Sequence, residues 1–369
     1  MKDHISHTQL TALVWAGALA PAAELLPAIT LPTAGKGAWL APLAAAPLVL
    51  LGGWLLARLS GEGGLASALR SGLGIFGIPA LLIYMVWGEL LLSLRLRLCA
   101  QRLVAAGYRD GTLWFFLLAV AGVTLWMGLG RVAPFARAGQ AFLALLLVTG
   151  SVVLLLSLPQ VRPERTLPLW TEDVIPLLRS APAAAGALGW SLYGVFLAGQ
   201  VRPRGDKRGW HWLAWGAGGC LLLTLAQWII LGSLGADLTA RLENPFFALA
   251  KSVGVEGAFQ RVESVVSALW VLADLMLAGT LLLALRTMIE ELVPVRSKWA
   301  VTGCALLAVI LAVTLFAQGR GTLWNRKIVP WGNLILGLLL PAAICCIYKG
   351  GGNGRYSGGK RCGRTNEKT

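Results

Sequence analysis

The chain has 369 residues, 57% of them hydrophobic and only 13% charged, with a mean hydropathy of +0.70. A soluble domain cannot hide that much apolar surface, so the composition specifies a polytopic membrane protein. The net charge of +15 lies in the connections between apolar runs, which excludes a nucleic-acid surface and points to membrane topology and anionic lipid.

The first apolar run, Leu10 to Pro32, contains Pro21 and Pro27, ends on Pro32 and carries Glu24 near its middle. Proline has no N–H and clashes with the carbonyl four residues back, so Pro21 frees the carbonyl of Gly17 and Pro27 that of Ala23. In hydrocarbon a freed carbonyl costs several kcal/mol unless protein, water or a ligand satisfies it. The run is expected to break as a helix, and interrupted spans of this kind hold small solutes in transporter folds. Gly17, Ala18, Pro21 and Glu24 are the candidate ligand-binding residues at that break. Glu24 has two readings: it meets a substrate ammonium or carries a proton, or it pairs with an arginine in a nearby connection.

Further windows of about 20 apolar residues, the length that crosses a bilayer, follow at 39–59, 75–98, 112–129, 138–158, 183–200, 211–235, 265–288, 299–317 and 329–348. Together with 10–32 they make about ten spans with short connections, hence one membrane domain over residues 1–348. The basic clusters Arg202, Arg204, Lys207, Arg208 and Lys349, Arg355, Lys360, Arg361, Arg364, Lys368 fall on one side and place both termini in the cytoplasm. The tail 349–369 is glycine-rich and basic and is expected to be disordered at the lipid surface.

In the third span Glu89 is an intramembrane acid, a coupling or gating candidate that equally suits an ion pair with an arginine on a neighbouring segment. The sixth span begins at Pro182 and continues with Gly186, Gly189, Gly194 and Gly199. Glycine lets a backbone unwind or a ligand approach, and it equally serves close helix packing. In an inverted repeat of five plus five spans the sixth is the counterpart of the first, so a pair of interrupted segments would mark the site. Gly186, Gly189, Trp190, Ser191 and Tyr193 then offer an aromatic wall and hydroxyls to an amino acid. Half-helix N-termini would take its carboxylate and free carbonyls its ammonium. In the eighth span Asp274, four residues past Trp270 and on the same face, is a second coupling or gating candidate that equally reads as an acid paired within the bundle. Arg261 and Glu263, two apart, cannot face each other and suit a structural clamp between that span and a loop.

None of the six cysteines forms a CxxC pair, and no HExxH, GxSxG or glycine-rich phosphate loop occurs. No metal, cofactor or enzymatic chemistry is expected.

Several stretches, in order along the chain, resemble one family, the spore-germination permeases. These are the B subunits of germinant receptors in the amino acid–polyamine–organocation superfamily. The stretches are Ile5-Ser6-His7-Thr8-Gln9, then Leu31-Pro32 with Ala34-Gly35 and Ala38-Trp39-Leu40, where Gly37 stands in place of a usual aspartate. Gly130–Arg137 and Asn244-Pro245 with Arg261, Glu263 and Trp270 complete the set. The resemblance implies an all-α fold like that of the leucine transporter, with a five-plus-five inverted repeat and helices 1 and 6 interrupted. It also implies a receptor in the inner spore membrane that binds a small nutrient, such as an amino acid, and signals to A and C subunits. The alternative is an ion-coupled amino-acid transporter, with Glu24, Glu89 and Asp274 as coupling groups.

Overall fold

The computed structural model describes residues 4–59, 64–105, 112–201, 208–252, 262–293 and 297–350, and of residues 208–211, 262–263, 297 and 347–350 the backbone alone. Arg261 and the tail beyond residue 350 lie outside the described residues, as does the side chain of Glu263.

The Ile-Ser-x-x-Gln opening is a helix start with a physical purpose. Ser6 caps α1 (His7–Ala34): its hydroxyl accepts from the Gln9 N–H at 3.1 Å while Gln9 Oε1 accepts from the Ser6 N–H at 3.0 Å. The reciprocal pair satisfies two backbone donors that a helix start would leave unmet. One residue earlier, the Ile5 N–H donates to the Gln200 carbonyl at 3.0 Å, and Ile5 forms an isolated parallel bridge with Val201.

After α1 come α2 (Ala41–Leu59), the short α3 (Gly64–Gly72), α4 (Gly77–Ala105), α5 (Leu113–Leu129) and α6 (Val132–Ser157). The second half opens with α7 (Thr171–Leu188), which continues as a 3₁₀ helix over Gly189–Gln200. Then follow α8 (Arg208–Leu234), the short α9 (Ala236–Arg241) and α10 (Pro245–Ser252), α11 (Val262–Leu292) and α12 (Ser297–Thr314). Last are α13 (Arg320–Lys327), α14 (Val329–Leu334) and α15 (Leu340–Gly350), the latter two joined into one span by a π-helical turn at Ile335–Leu339. Each of the ten apolar windows is occupied by a long helix, and most run past the window's ends. The third runs on to Ala105, so Arg102, beyond the apolar window, belongs to the same helix as Arg95 and Arg97.

α1 does not break. It is one 28-residue helix with Pro21, Pro27 and Pro32 inside it. Each proline deletes one bond from the ladder, and the bonds on either side remain. The helix is also buried without interruption from Leu10 to Ala23, with α6, α7, α8 and α11 packed around it. Surroundings that close on every side hold the helical path through the gaps.

The sixth span does change. α winding stops at Leu188 and 3₁₀ winding continues for 12 residues, far beyond the usual three or four. Gly186 and Gly189 lie where α14 presses on α7: a Cβ on Gly186 would overlap the Pro330 carbonyl, and one on Gly189 would come within 2.5 Å of Asn333 Cβ. Across the bundle, α1 packs on α7, α2 on α8, α4 on α11 and α5 on α12. The first four spans thus meet their counterparts in the second five.

Candidate functional site

Four charged side chains from three spans form a chain through the bundle. Arg95 and Arg102 are seven residues apart on α4, two helical turns, and so share one face. Between them sits Asp274 of α11. Its Oδ1 accepts from Arg95 Nη1 at 3.1 Å and its Oδ2 from Arg102 Nε at 3.2 Å. Arg102 Nη2 then donates to Glu24 Oε2 of α1 at 2.7 Å. At the other end, the Arg95 guanidinium lies 4.4 Å from the centre of the Trp190 ring, in the 3₁₀ segment. A cation held over an indole face is attracted by the ring quadrupole, most strongly where water is absent.

The chain has a direction. Arg95 and Asp274 are each 1% exposed, Arg102 13% and Glu24 21%, so it runs from a reachable end to a sealed one. Two acids and two bases cancel, which a sealed membrane interior requires, since an unpaired buried charge costs several kcal/mol. Arg95 Nε and Nη2 nevertheless have no hydrogen-bond partner. The indole face is what meets that side of the guanidinium.

The reachable end opens into a vestibule of about 430 Å³. Glu24 and Arg102 line its inner end, Trp270 and Phe247 give it an apolar wall, and α10 and α13 contribute Lys251 and Arg326. Trp270 also stacks on Phe246, with ring centroids 4.8 Å apart. The Trp270–Asp274 spacing on one helix face therefore has a plain result: the indole lines the vestibule and the carboxylate holds the arginines beneath it.

The other candidate residues are distributed differently. Gly189 and Ser191 line a separate inner cavity of about 70 Å³, room for a few waters rather than an amino acid. The Ser191 hydroxyl donates to the Leu188 carbonyl at 3.0 Å. Tyr193 is fully buried and donates to the Tyr84 carbonyl at 2.9 Å, while the Tyr84 hydroxyl donates to Leu336 in the π turn at 2.7 Å. These two tyrosines tie the 3₁₀ segment to α4 and α4 to the last span. Gly17 serves contact, since a Cβ there would come within 2.9 Å of the Leu277 backbone of α11. Ala18 and Pro21 are buried in the same packing. Glu89 is buried with the Cys304 thiol beside it, and among the described residues neither carboxyl oxygen meets an N–H or O–H donor.

The structure gives Asp274 its reading as an acid paired within the bundle, with Arg95 and Arg102 as partners, and gives Glu24 an arginine that stands on α4 rather than in a connection. Asn333 is not among the sequence candidates. Its amide accepts from Trp87 Nε1 at 2.9 Å and donates to the Gly186 carbonyl at 3.2 Å, at the last α turn before the winding changes. A lone asparagine in the apolar tenth window was the available signal.

The sequence matches the family model described as "Spore germination protein" over residues 4–320. No curated protein matches the chain significantly. Among solved structures the chain is similar to MhsT in complex with L-phenylalanine, with a TM-score of 0.70 at 13% identity over 95% of this chain and 90% of that one. It is similar to Mhp1, a nucleobase-cation-symport-1 family transporter in a closed conformation with bromovinylhydantoin bound (TM-score 0.60, 14% identity, 95% and 94% coverage). A Na⁺-coupled sialic acid symporter in a substrate-bound outward-open state gives 0.62 at 10% identity over 92% and 80%. At these identities the likeness carries the fold: an all-α bundle of the leucine-transporter kind.

Proposed function

The chain belongs to the spore germination protein family, and we propose that within it the protein is a germinant-receptor subunit. It binds a small nutrient, an amino acid, inside the inner spore membrane and passes that event to A and C subunits. Both termini face the cytoplasm, which puts the vestibule on the opposite side, where nutrients arrive. The observation that carries the reading is the chain Glu24–Arg102–Asp274–Arg95 ending on Trp190. It connects the group that lines the vestibule with the segment whose winding departs from α.

Such a chain suits a switch. Its charges are balanced only as a set, so a ligand that takes a hydrogen bond from Arg102 or gives one to Glu24 changes the balance at Asp274 and Arg95. A ligand shifts a two-state element by the difference in its affinity for the two states, and these contacts supply a difference. Deleting the gene and presenting spores with the twenty amino acids singly is the direct test. Loss of the response to at least one supports the reading, and an unchanged response to all of them overturns it.

One observation favours the second reading, an ion-coupled amino-acid transporter. Among the described residues the buried Glu89 carboxyl has no guanidinium partner, unlike Glu24 and Asp274, and is therefore the group left to carry a coupling proton. Uptake by the reconstituted protein under a proton gradient, abolished in Glu89→Gln, would establish that reading; no uptake in the native protein would remove it.

A further inference from the structure

The vestibule shares only the first of the two spans that the inverted repeat singles out and touches none of the sixth. It is enclosed where the far half of α1 and the ends of α4 and α11 meet two short helices from the connections, α10 and α13. Its volume of about 430 Å³ falls in the range of small-molecule sites. The chemistry of its wall is mixed in sign. Arg102, Lys251 and Arg326 are positive, and Glu24 and Glu243 are negative. Glu24 and Arg102 are bonded to each other but keep 21% and 13% of their surface reachable, so each can take a further partner. Two wall residues hold groups without a hydrogen-bond partner among the described residues: the buried Trp270 indole N–H and the buried Asn325 Oδ1. A ligand that carries both charges can meet reachable groups of both signs at once, whereas an anion alone would leave Glu243 unused and a cation alone would add to a wall already one positive charge in excess.

We infer that this vestibule is a binding site for a free zwitterionic α-amino acid, separate from the cavity beside Gly189. Its carboxylate is taken by the positive set around Arg102 and its ammonium by Glu24 and Glu243. Its side chain lies against the apolar wall of Trp270 and Phe247. This rests on the nutrient-binding reading above and adds to it the place and the charge pattern of the ligand.

The test uses the full-length protein in lipid nanodiscs and its thermal unfolding midpoint. Three probes are compared: a mixture of the twenty amino acids, the same mixture as methyl esters, and the same mixture as N-acetyl derivatives. The expected result is a rise in the midpoint with the free amino acids only, because the esters lack the carboxylate and the acetylated forms lack the ammonium. Lys251 and Glu243 are both exposed, so Lys251→Glu and Glu243→Lys fold as the native protein does. Each should raise the half-saturating concentration at least tenfold. Stabilisation by either blocked mixture overturns the zwitterionic ligand. Stabilisation that both charge reversals leave intact, while Gly189→Leu abolishes it, moves the ligand to the inner cavity and overturns this site alone. No stabilisation by any probe overturns both the site and the nutrient-binding reading beneath it.

Discussion

The first and sixth spans carry the same kind of local weakness and answer it in opposite ways. α1 has three internal prolines and stays α-helical along its whole length, whereas the sixth span has Pro176 and Pro182 within its α part and rewinds only after Gly186 and Gly189. Prolines remove donors but also hold φ at a helical value, so a helix enclosed on all sides keeps its course. The glycines act through what they admit. Without side chains they let α14 come close enough for Asn333 to hold the Gly186 carbonyl, and the winding changes at that contact. A missing hydrogen bond therefore weakens a span without interrupting it, while a competing partner for a carbonyl redirects it.

The contrast can be broken at the link between the two spans. Asp274→Ala leaves Arg95 and Arg102 without their shared carboxylate in a sealed site, which should cost about 3–5 kcal/mol. The unfolding midpoint of the purified protein should fall accordingly, and an unchanged midpoint would show that the chain contributes nothing. Gly186→Ala comes next. Its methyl overlaps the Pro330 carbonyl, so α7 and α14 must separate at about 1–3 kcal/mol, with faster hydrogen exchange across residues 189–200. Asn333→Leu strands the Trp87 indole N–H at a similar or smaller cost, about 1–3 kcal/mol. It should also let α winding extend past Leu188, which site-directed spin-label distances along the sixth span would detect. The smallest effect belongs to Pro21→Ala. Restoring one bond to a helix that never broke should change stability by less than about 1 kcal/mol and leave the nutrient response as it is. A lost response would mean that the Gly17 carbonyl is used by the ligand after all.

Much of this architecture is written in local pattern. Ten apolar windows, the Ser6–Gln9 capping pair and the glycine spacing of the sixth span follow from rules that act within a few residues. What stayed illegible depends on neighbours. Arg102 falls beyond the third apolar window, which ends at 98, and Arg95 sits in its last turn; only packing on α11 shows that the helix continues with both arginines on Asp274. Glu24 had two open readings until its partner arrived from a helix 78 residues away. Asn333 carries no sequence signal beyond its polarity, and its function depends on a carbonyl 147 residues distant. The vestibule was invisible for the same reason, since α10 and α13 are too short and too mixed in character to register as apolar windows.

The bond from Ile5 to the Gln200 carbonyl fastens the start of α1 to the finish of the sixth span. A 3₁₀ helix rises about 2.0 Å per residue and an α-helix about 1.5 Å, so converting the 12 residues of Gly189–Gln200 from one to the other would retract that end by about 6 Å. Because Ile5 is tied to it, such a stroke would draw the start of α1 inward along the bundle axis. A winding choice made beside Trp190 would thereby become a displacement at the end of the bundle where α1 begins, a lever whose load arm is Ile5.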